Sequence, residues 1–197
     1  MRLIFRTAFV LLMLGLAVPV AADPDKDADA AYDRGDYGTA LRLNRPLADQ
    51  GNARAQFNLG WMFDHGQGVP QNDAEAMKWY RLAADQGNAD AQFNLGVMFH
   101  DGQGVPQHYA EAMKWYRLAA DQGNAVAQFN LGVMFRDGVG VPQNSVQAHM
   151  WVNLAGAGGH SAGNKNRDRV AGKMTGAQIA EAQRLAAEWK AKPSQPR

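Results

Sequence analysis

The chain is built around an internal repeat of 36 residues, and this repeat limits the folds that are open to it. The string Ala-Asp-Gln-Gly-Asn-Ala occurs three times, at 48–53, 84–89 and 120–125. Alignment on this string gives three complete units, 53–88, 89–124 and 125–160. The first two units match at 30 of 36 positions and the last two at 21 of 36. Such units must stack on one another, because a single small unit cannot bury its apolar side chains alone.

Each unit predicts two α-helices joined by a glycine-containing turn. In the first unit Asn52 can cap a helix over 53–63, and Gly66 can end it, because glycine adopts left-handed backbone without strain. Asn72 followed by Glu75 resembles a capping box and marks the start of a second helix with apolar residues at helical spacing. The sequence therefore predicts an all-α fold, a right-handed superhelical α/α solenoid of about three helix–turn–helix repeats.

The segments that flank the three units differ from them. Residues 31–52 align with the second half of a unit and predict a half repeat. Residues 161–192 predict a closing pair of capping helices, which a solenoid needs to cover its last apolar face. The acidic residues 23–30 predict a flexible lead-in, and residues 193–197 predict a disordered tail. No second domain is expected.

Residues 1–22 have the pattern of a cleaved signal peptide. Arg2 and Arg6 precede an apolar run over 8–18, and small residues lead to Ala22. The run is too short to span a bilayer comfortably, since about 20 apolar residues are needed. The sequence therefore predicts an exported protein without a transmembrane segment after cleavage. The bacterial periplasm is the favoured location, the extracellular space is the alternative, and an uncleaved anchor is the remaining reading.

Composition and charge exclude several classes of protein. The absence of cysteine excludes disulfide scaffolds, cysteine-ligated metals and thiol nucleophiles. The 20 Lys and Arg against 19 Asp and Glu argue against a nucleic-acid binder. Residues 23–160 carry 10 basic and 16 acidic groups (net −6), whereas residues 161–197 carry 8 and 3 (net +5). The basic C-terminal segment is either a solvated face or a weak contact for an anionic surface.

Residues with catalytic or ligand-binding patterns are scarce. The five histidines lack the i, i+4 spacing of a helical metal pair. Asp-Gly-x-Gly, at 101–104 and 137–140, lacks the alternating oxygen ligands of a calcium loop. No serine has the neighbours of a nucleophile elbow. The sequence therefore predicts no catalytic residue, no cofactor and no metal, and favours a protein that is not an enzyme.

One side of the first helix of each unit is a candidate binding surface, which we name the stripe. It consists of positions i, i+4, i+7 and i+11, which lie on one side of a helix. Three of the six differences between units one and two fall on it. Packing positions must repeat with the units, whereas positions that face a ligand are free to diverge, so we expect the stripe to line the concave face and bind a partner. Its members are Arg54, Asn58, Trp61 and His65; Asp90, Asn94, Val97 and Asp101; and Val126, Asn130, Val133 and Asp137.

Asparagine is constant at one position of this otherwise variable stripe, at Asn58, Asn94 and Asn130. An amide can donate and accept a hydrogen bond at once, so three in a row could clamp an extended peptide backbone. Two alternatives stay open. Each asparagine could bond locally within its own repeat, or a recent duplication could have left the residue unchanged.

The repeat resembles a known family. Ala-Gln-Phe-Asn-Leu-Gly-x-Met-Phe-x-x-Gly-x-Gly-Val-Pro-Gln, followed by Ala-x-x-Trp-Tyr-x-x-Ala-Ala, is similar to the SEL-one-like repeat (SLR) family over about residues 27–160. The resemblance implies a solenoid related to tetratricopeptide repeats, and an adaptor for a protein or peptide partner that it does not identify. The third unit departs from the pattern at Val152, Gly156 and Ala157. This departure predicts a different neighbour for that unit.

Two other functions stay open at the level of the sequence. Some secreted, cysteine-rich members of the family are associated with beta-lactam compounds, which makes a cell-wall-related enzyme or a small-molecule binder an alternative. The lack of cysteine in this chain weakens that alternative. A secreted effector that binds a host protein is the other.

Overall fold

The computed structural model describes residues 23–190, which form ten α-helices and no strand. The helices are α1 (Pro24–Asp33), α2 (Tyr37–Asp49), α3 (Ala53–His65), α4 (Asp73–Asp85), α5 (Ala89–Asp101), α6 (Tyr109–Asp121), α7 (Ala125–Asp137), α8 (Ser145–Ala157), α9 (Gly163–Ala171) and α10 (Gly176–Lys190). The predicted signal peptide, 1–22, lies outside the described residues. So do the predicted tail and residues 191–192 of the predicted capping segment.

Neighbouring helices along the chain are neighbours in space. Within the units, α3 packs on α4, α5 on α6 and α7 on α8, and between them α4 packs on α5 and α6 on α7. Each repeat therefore contacts chiefly the units before and after it. The prediction of an all-α solenoid is confirmed.

The predicted start and stop signals of the helices are present. The Oδ1 atoms of Asn52, Asn88 and Asn124 accept hydrogen bonds from the backbone N–H groups three residues later, at 2.8–2.9 Å. Gly66 ends α3 with a φ of 65°, a left-handed conformation that favours glycine. These local signals explain why every complete unit begins and ends its first helix at the same place.

Glycine at the centre of each first helix permits close packing on the second helix. A Cβ atom added to Gly60 would lie 2.5 Å from Cδ1 of Tyr80, and one added to Gly132 would lie 2.5 Å from Cγ1 of Val152. Gly96 faces Tyr116 in the same way. The helices of one unit therefore approach each other at a distance that excludes even a methyl group.

Buried tryptophans join consecutive second helices. The rings of Trp79, Trp115 and Trp151 are at most 8% exposed. Each ring packs under an arginine guanidinium from the preceding second helix, at 5.3, 4.8 and 4.8 Å. A cation over an aromatic face is attracted by the ring quadrupole. The pairs therefore contribute to the stacking of neighbouring repeats.

Residues 23–30 are helical, and the prediction of a flexible lead-in was wrong. They form most of α1, in which Ala28 and Ala31 are fully buried. The acidic side chains, which suggested a solvated segment, point toward unit one, where Asn52 Nδ2 donates to Asp25 at 3.1–3.2 Å. Small alanines at helical spacing therefore let this acidic segment dock on the repeats.

The closing helices both pack on α8. Gly163 of α9 lies against Gly156, where an added Cβ atom would meet the Gly156 backbone, and this contact explains why unit three departs from the repeat at Gly156. In α10, Ala182 and Ala186 are buried in the same core cluster as α8. The predicted closing pair is therefore present as two helices whose shared neighbour is α8.

A histidine replaces the methionine of the other units at position 149 and is buried in α8. Burial lowers the pKa of His149, the positive charge of Arg167 lowers it further, and Asp168 opposes the shift. The ring is 2% exposed, and its Nδ1 atom has no hydrogen-bond partner in the described structure. The folded protein therefore disfavours the charged form of this side chain.

We expect His149 to make the protein less stable in acid. An unfolded chain binds the proton at about pH 6.5, the ordinary pKa of histidine, whereas the folded chain binds it only at lower pH. This contribution to stability is therefore complete above that value and is lost as the pH falls toward the folded-state pKa. His149→Met should remove this pH dependence from urea unfolding curves, whereas His65→Asn, at an exposed site, should retain it. An unchanged pH dependence in His149→Met would contradict the prediction.

Candidate functional site

The stripe follows a regular pattern of exposure. Its two outer positions are exposed in every unit, and its two central positions are half-buried. The exposed members are Arg54, His65, Asp90, Asp101, Val126 and Asp137, and the half-buried members are Asn58, Trp61, Asn94, Val97, Asn130 and Val133. Three cavities open beside these residues, and seven of the twelve predicted residues line one of them.

The first cavity, of about 300 Å³, is aromatic. It is lined by Tyr32 of α1 and by Phe57, Asn58 and Trp61 of α3. The ring of His65 stacks on Trp61 with centroids 3.9 Å apart and planes 16° apart. This end of the stripe therefore offers flat apolar surface with a single amide.

Helix α1 covers part of the stripe in unit one. Asp29 pairs with Arg54 at 2.5 Å. The Nδ2 atom of Asn58 donates to Asn44 Oδ1 at 3.2 Å and to Asp29 Oδ1 at 3.4 Å. The sequence indicated a free surface at Arg54 and Asn58, but both side chains already have partners. They were misjudged because their partners lie on a segment that was expected to be flexible.

The second cavity, of about 280 Å³, combines apolar walls with polar groups. Val97, Val133 and Met134 supply the apolar walls, and His100, Asp101, Tyr116 and Asn130 supply the polar groups. In unit one, the corresponding tyrosine, Tyr80, donates to Asp64 at 3.2 Å. Unit two has His100 in place of that acid, and its Nδ1 atom lies 2.6 Å from Asp101 Oδ1.

Tyr116 keeps its proton in this cavity. Burial raises the pKa of its hydroxyl, and the nearby Asn130 amide opposes the rise. The side chain is 2% exposed. The second cavity therefore holds a neutral phenol, an amide and the half-exposed carboxylate of Asp101 beside apolar side chains.

The stripe asparagines lie at the boundaries between repeats. Each lies beside the residue fourteen positions earlier, on the second helix of the preceding repeat. Asn58 bonds to Asn44, and the amides of Asn94 and Asn130 act on the pKa of Tyr80 and Tyr116 respectively. This is neither of the arrangements weighed from the sequence, since the contact crosses to a neighbouring repeat. Clamping of a peptide backbone by Asn94 and Asn130 stays a prediction.

The third cavity, of about 400 Å³, shows that the stripe continues into α9. Advancing the stripe by one more period of 36 residues gives Ala162, Asn166, Arg169 and Lys173. Arg169 and Lys173 line this cavity together with Asp137, the last predicted stripe residue. The sequence carried the signal, because an asparagine stands in register at 166. It was missed because the surrounding residues no longer resemble the repeat.

An ion pair fixes the wall of the third cavity. Arg136 donates through Nε and Nη2 to both carboxylate oxygens of Asp137, at 2.7 Å each, and through Nη1 to Asn166 Oδ1 at 2.6 Å. The guanidinium lowers the pKa of Asp137, and Lys173 lowers it further. Asn166 thus holds Arg136 across the α7–α9 boundary, as Asn58 holds Asn44 across an earlier one.

Two searches concern the described residues only. Over 23–190, no three or more His, Asp or Glu side chains cluster closely enough to hold a metal ion. No helix in the same range has the length and apolar character needed to cross a membrane.

Comparison with solved structures finds two similar proteins. A Sel1 repeat protein from Oxalobacter formigenes is 34% identical with a TM-score of 0.71, over 74% of this chain and 58% of that protein. A protective antigen of uropathogenic Escherichia coli strains that displays an SLR fold is 30% identical with a TM-score of 0.59, over 79% of this chain and 41% of that protein. This chain thus spans about half the length of these two proteins. No curated protein gives a significant match.

The model of the Sel1 repeat family matches residues 53–88, 89–124 and 125–160, the same three ranges as the 36-residue units. These ranges make up more than half of the chain. The Sel1 repeat fold typically serves as a scaffold for protein–protein interaction. By its repeats and by the solenoid that they build, the chain belongs to the Sel1 repeat family.

Proposed function

We propose that this protein is an exported adaptor that binds a protein or peptide partner along the stripe. The observation that carries the proposal is the coincidence of two independent features. The positions at which near-identical units diverge are the positions beside which the cavities open. A surface under packing constraint alone would repeat with its units, whereas a surface that recognises an irregular ligand would not.

The second cavity suits a long cationic side chain of a polypeptide. Val97 and Val133 would contact the methylene stem, and Asp101 would accept from the charged head, as such side chains keep apolar stems and polar tips in different surroundings. Tyr116 and Asn130 offer further oxygen acceptors in the same cavity. A charge-assisted hydrogen bond is stronger than a neutral one. A lysine or arginine of the partner is therefore the side chain that we expect there.

Selection of peptides tests the proposal. Random twelve-residue peptides are displayed and selected on the chain from residue 23 onward, and the affinities of the selected peptides are measured. Changing Asn94 and Asn130 together to alanine should weaken their binding about tenfold or more, because each lost hydrogen bond costs about 1 kcal/mol. Leu118→Ala, at an exposed site on α6, is the matched control and should bind as the wild type does.

The outcome is decisive in both directions when folding is checked. Circular dichroism melting should show that the double variant remains folded. Peptides that bind the double variant and the wild type equally would contradict the proposal. So would chemical-shift changes that fall on the second helices and leave the stripe unchanged.

Export is a separate part of the proposal, and it rests on the pattern of residues 1–22. Full-length protein expressed in a bacterium should be recovered from the periplasmic or extracellular fraction with Asp23 as its first residue. Intact-mass measurement of the recovered protein checks this directly. A cytoplasmic protein that retains Met1 would contradict it, while leaving peptide binding untouched.

A further inference from the structure

The third cavity differs in charge from the other two, and we name it the basic cavity. It lies where the last complete repeat meets α9. Its walls include Arg136 and Asp137 of α7, Ser145 at the start of α8, and Arg169 and Lys173 at the end of α9. It therefore carries three cations and one carboxylate within about 400 Å³.

Two of these positive charges are uncompensated. Arg136 is neutralised by its two-pronged contact with Asp137. Arg169 and Lys173 make no ion pair within residues 23–190, whereas their neighbour Arg167 pairs with Asp168. The cavity therefore has a net charge of about +2, counted from these side chains.

The start of α8 adds neutral donors to the same cavity. Ser145 is the first residue of this thirteen-residue helix, and its hydroxyl can donate a hydrogen bond. The amide of Gln143 also lines the wall. The positive end of the helix dipole favours a negative group near its first turn. These groups supplement the two cations, which carry the argument.

We propose that the basic cavity binds the carboxylates of an acidic segment of the polypeptide partner. This inference rests on the proposed function. It deepens that function, because Arg169 and Lys173 occupy stripe positions one period after Val133 and Asp137. A peptide on the stripe would pass from the acidic Asp101 to the basic cavity. The reversal of charge along the stripe sets the direction in which the peptide lies.

The shape of the site favours a peptide over a membrane surface. Arg169 and Lys173 converge on a cavity, whereas a bilayer needs cations spread over an accessible face. Asp137 at the wall and the exposed Asp168 on the same helix would face the anionic headgroups. A narrow acidic chain can enter the cavity without approaching Asp168. The basic C-terminal segment is thus divided, with two of its cations assigned to a specific site.

Titration with a capped tetraglutamate peptide tests the inference. Nuclear magnetic resonance of the chain from residue 23 onward should show shifts at the backbone amides of Ser145 and Lys173. Changing Arg169 and Lys173 together to glutamine should weaken the binding about tenfold or more. Lys165→Gln is the matched control, because Lys165 is exposed on α9 and does not line the cavity. Salt raised from about 50 to about 500 mM should weaken binding to the wild type.

Each other outcome overturns the inference in a recognisable way. Equal loss in the double variant and in Lys165→Gln would mean diffuse attraction to a basic surface. Binding to vesicles that contain anionic lipid, without binding to tetraglutamate, would mean a membrane contact. Failure of tetraglutamate while the selected peptides still require Asn94 and Asn130 would overturn this inference alone. Tetraglutamate binding that depends on Arg169, together with selected peptides indifferent to both asparagines, would overturn the proposed function of the stripe alone.

Discussion

Replacing Trp151 with alanine should lower the free energy of unfolding by about 3–5 kcal/mol, the usual cost of removing a fully buried large aromatic residue. Its side chain is 0% exposed. The ring packs edge-on against Trp189 with centroids 6.0 Å apart, and lies under the guanidinium of Arg117. The substitution therefore leaves a cavity at the junction of unit three and α10. Urea unfolding, followed by circular dichroism, measures the change.

A matched control separates this effect from a general sensitivity to truncation. Leu82→Ala removes an apolar side chain that is 42% exposed, and we expect a change within about 1 kcal/mol. In a solenoid, stability is distributed over repeats and their interfaces, so the Trp151 variant should also lose its C-terminal helices first. Hydrogen exchange should show early opening in α8 and α10. A loss below about 1 kcal/mol for Trp151→Ala would contradict the assigned packing.

Gly60→Ala should lower the free energy of unfolding by about 1–3 kcal/mol, although alanine is the better helix former. The added methyl carbon would lie 2.5 Å from Cδ1 and 2.8 Å from Cε1 of Tyr80. Tyr80 is fully buried, and its hydroxyl donates to Asp64, so the ring has little freedom to move. The two helices of unit one must therefore separate. Thermal and urea unfolding both measure the loss.

The control for this prediction is the same substitution at an open site. Gly38 lies in α2, and an added Cβ atom would have no neighbour closer than 4.0 Å. Gly38→Ala should leave stability unchanged or raise it by up to about 1 kcal/mol, because alanine restricts the unfolded chain. Equal effects at Gly60 and Gly38 would show that the close approach of α3 to α4 does not limit stability.

The repeat architecture was predictable because its determinants are local and occur in every unit. Asn52 caps α3 through a bond to a residue three positions away, and Gly66 ends it through its own backbone conformation. The reciprocal bonds between Thr175 and Gln178 at the start of α10 are equally local. A signal of this kind needs no knowledge of what packs on the helix, so sequence pattern suffices to find it.

The binding surface was predictable only in part. The helical wheel brought together residues that do line cavities, such as Val97, Asp101 and Asn130. It could not show that Asp29 of α1 holds Arg54, since the two residues belong to different helices and no periodicity links them.

Residues 53–160 repeat closely enough that their helices, caps and stacking order follow from the pattern of amino acids alone. Tertiary contacts decided the two ends. Docking of α1 depends on bonds such as Asp25 to Asn52, and the position of α10 on α8 depends on Trp189, whose Nε1 donates to Asp121 at 3.0 Å across 68 residues of sequence. Repetition makes each interface of the array a copy of the one before it, whereas each end meets a partner that occurs once. The basic cavity lies at such an end, where the period of 36 residues persists but its side chains change.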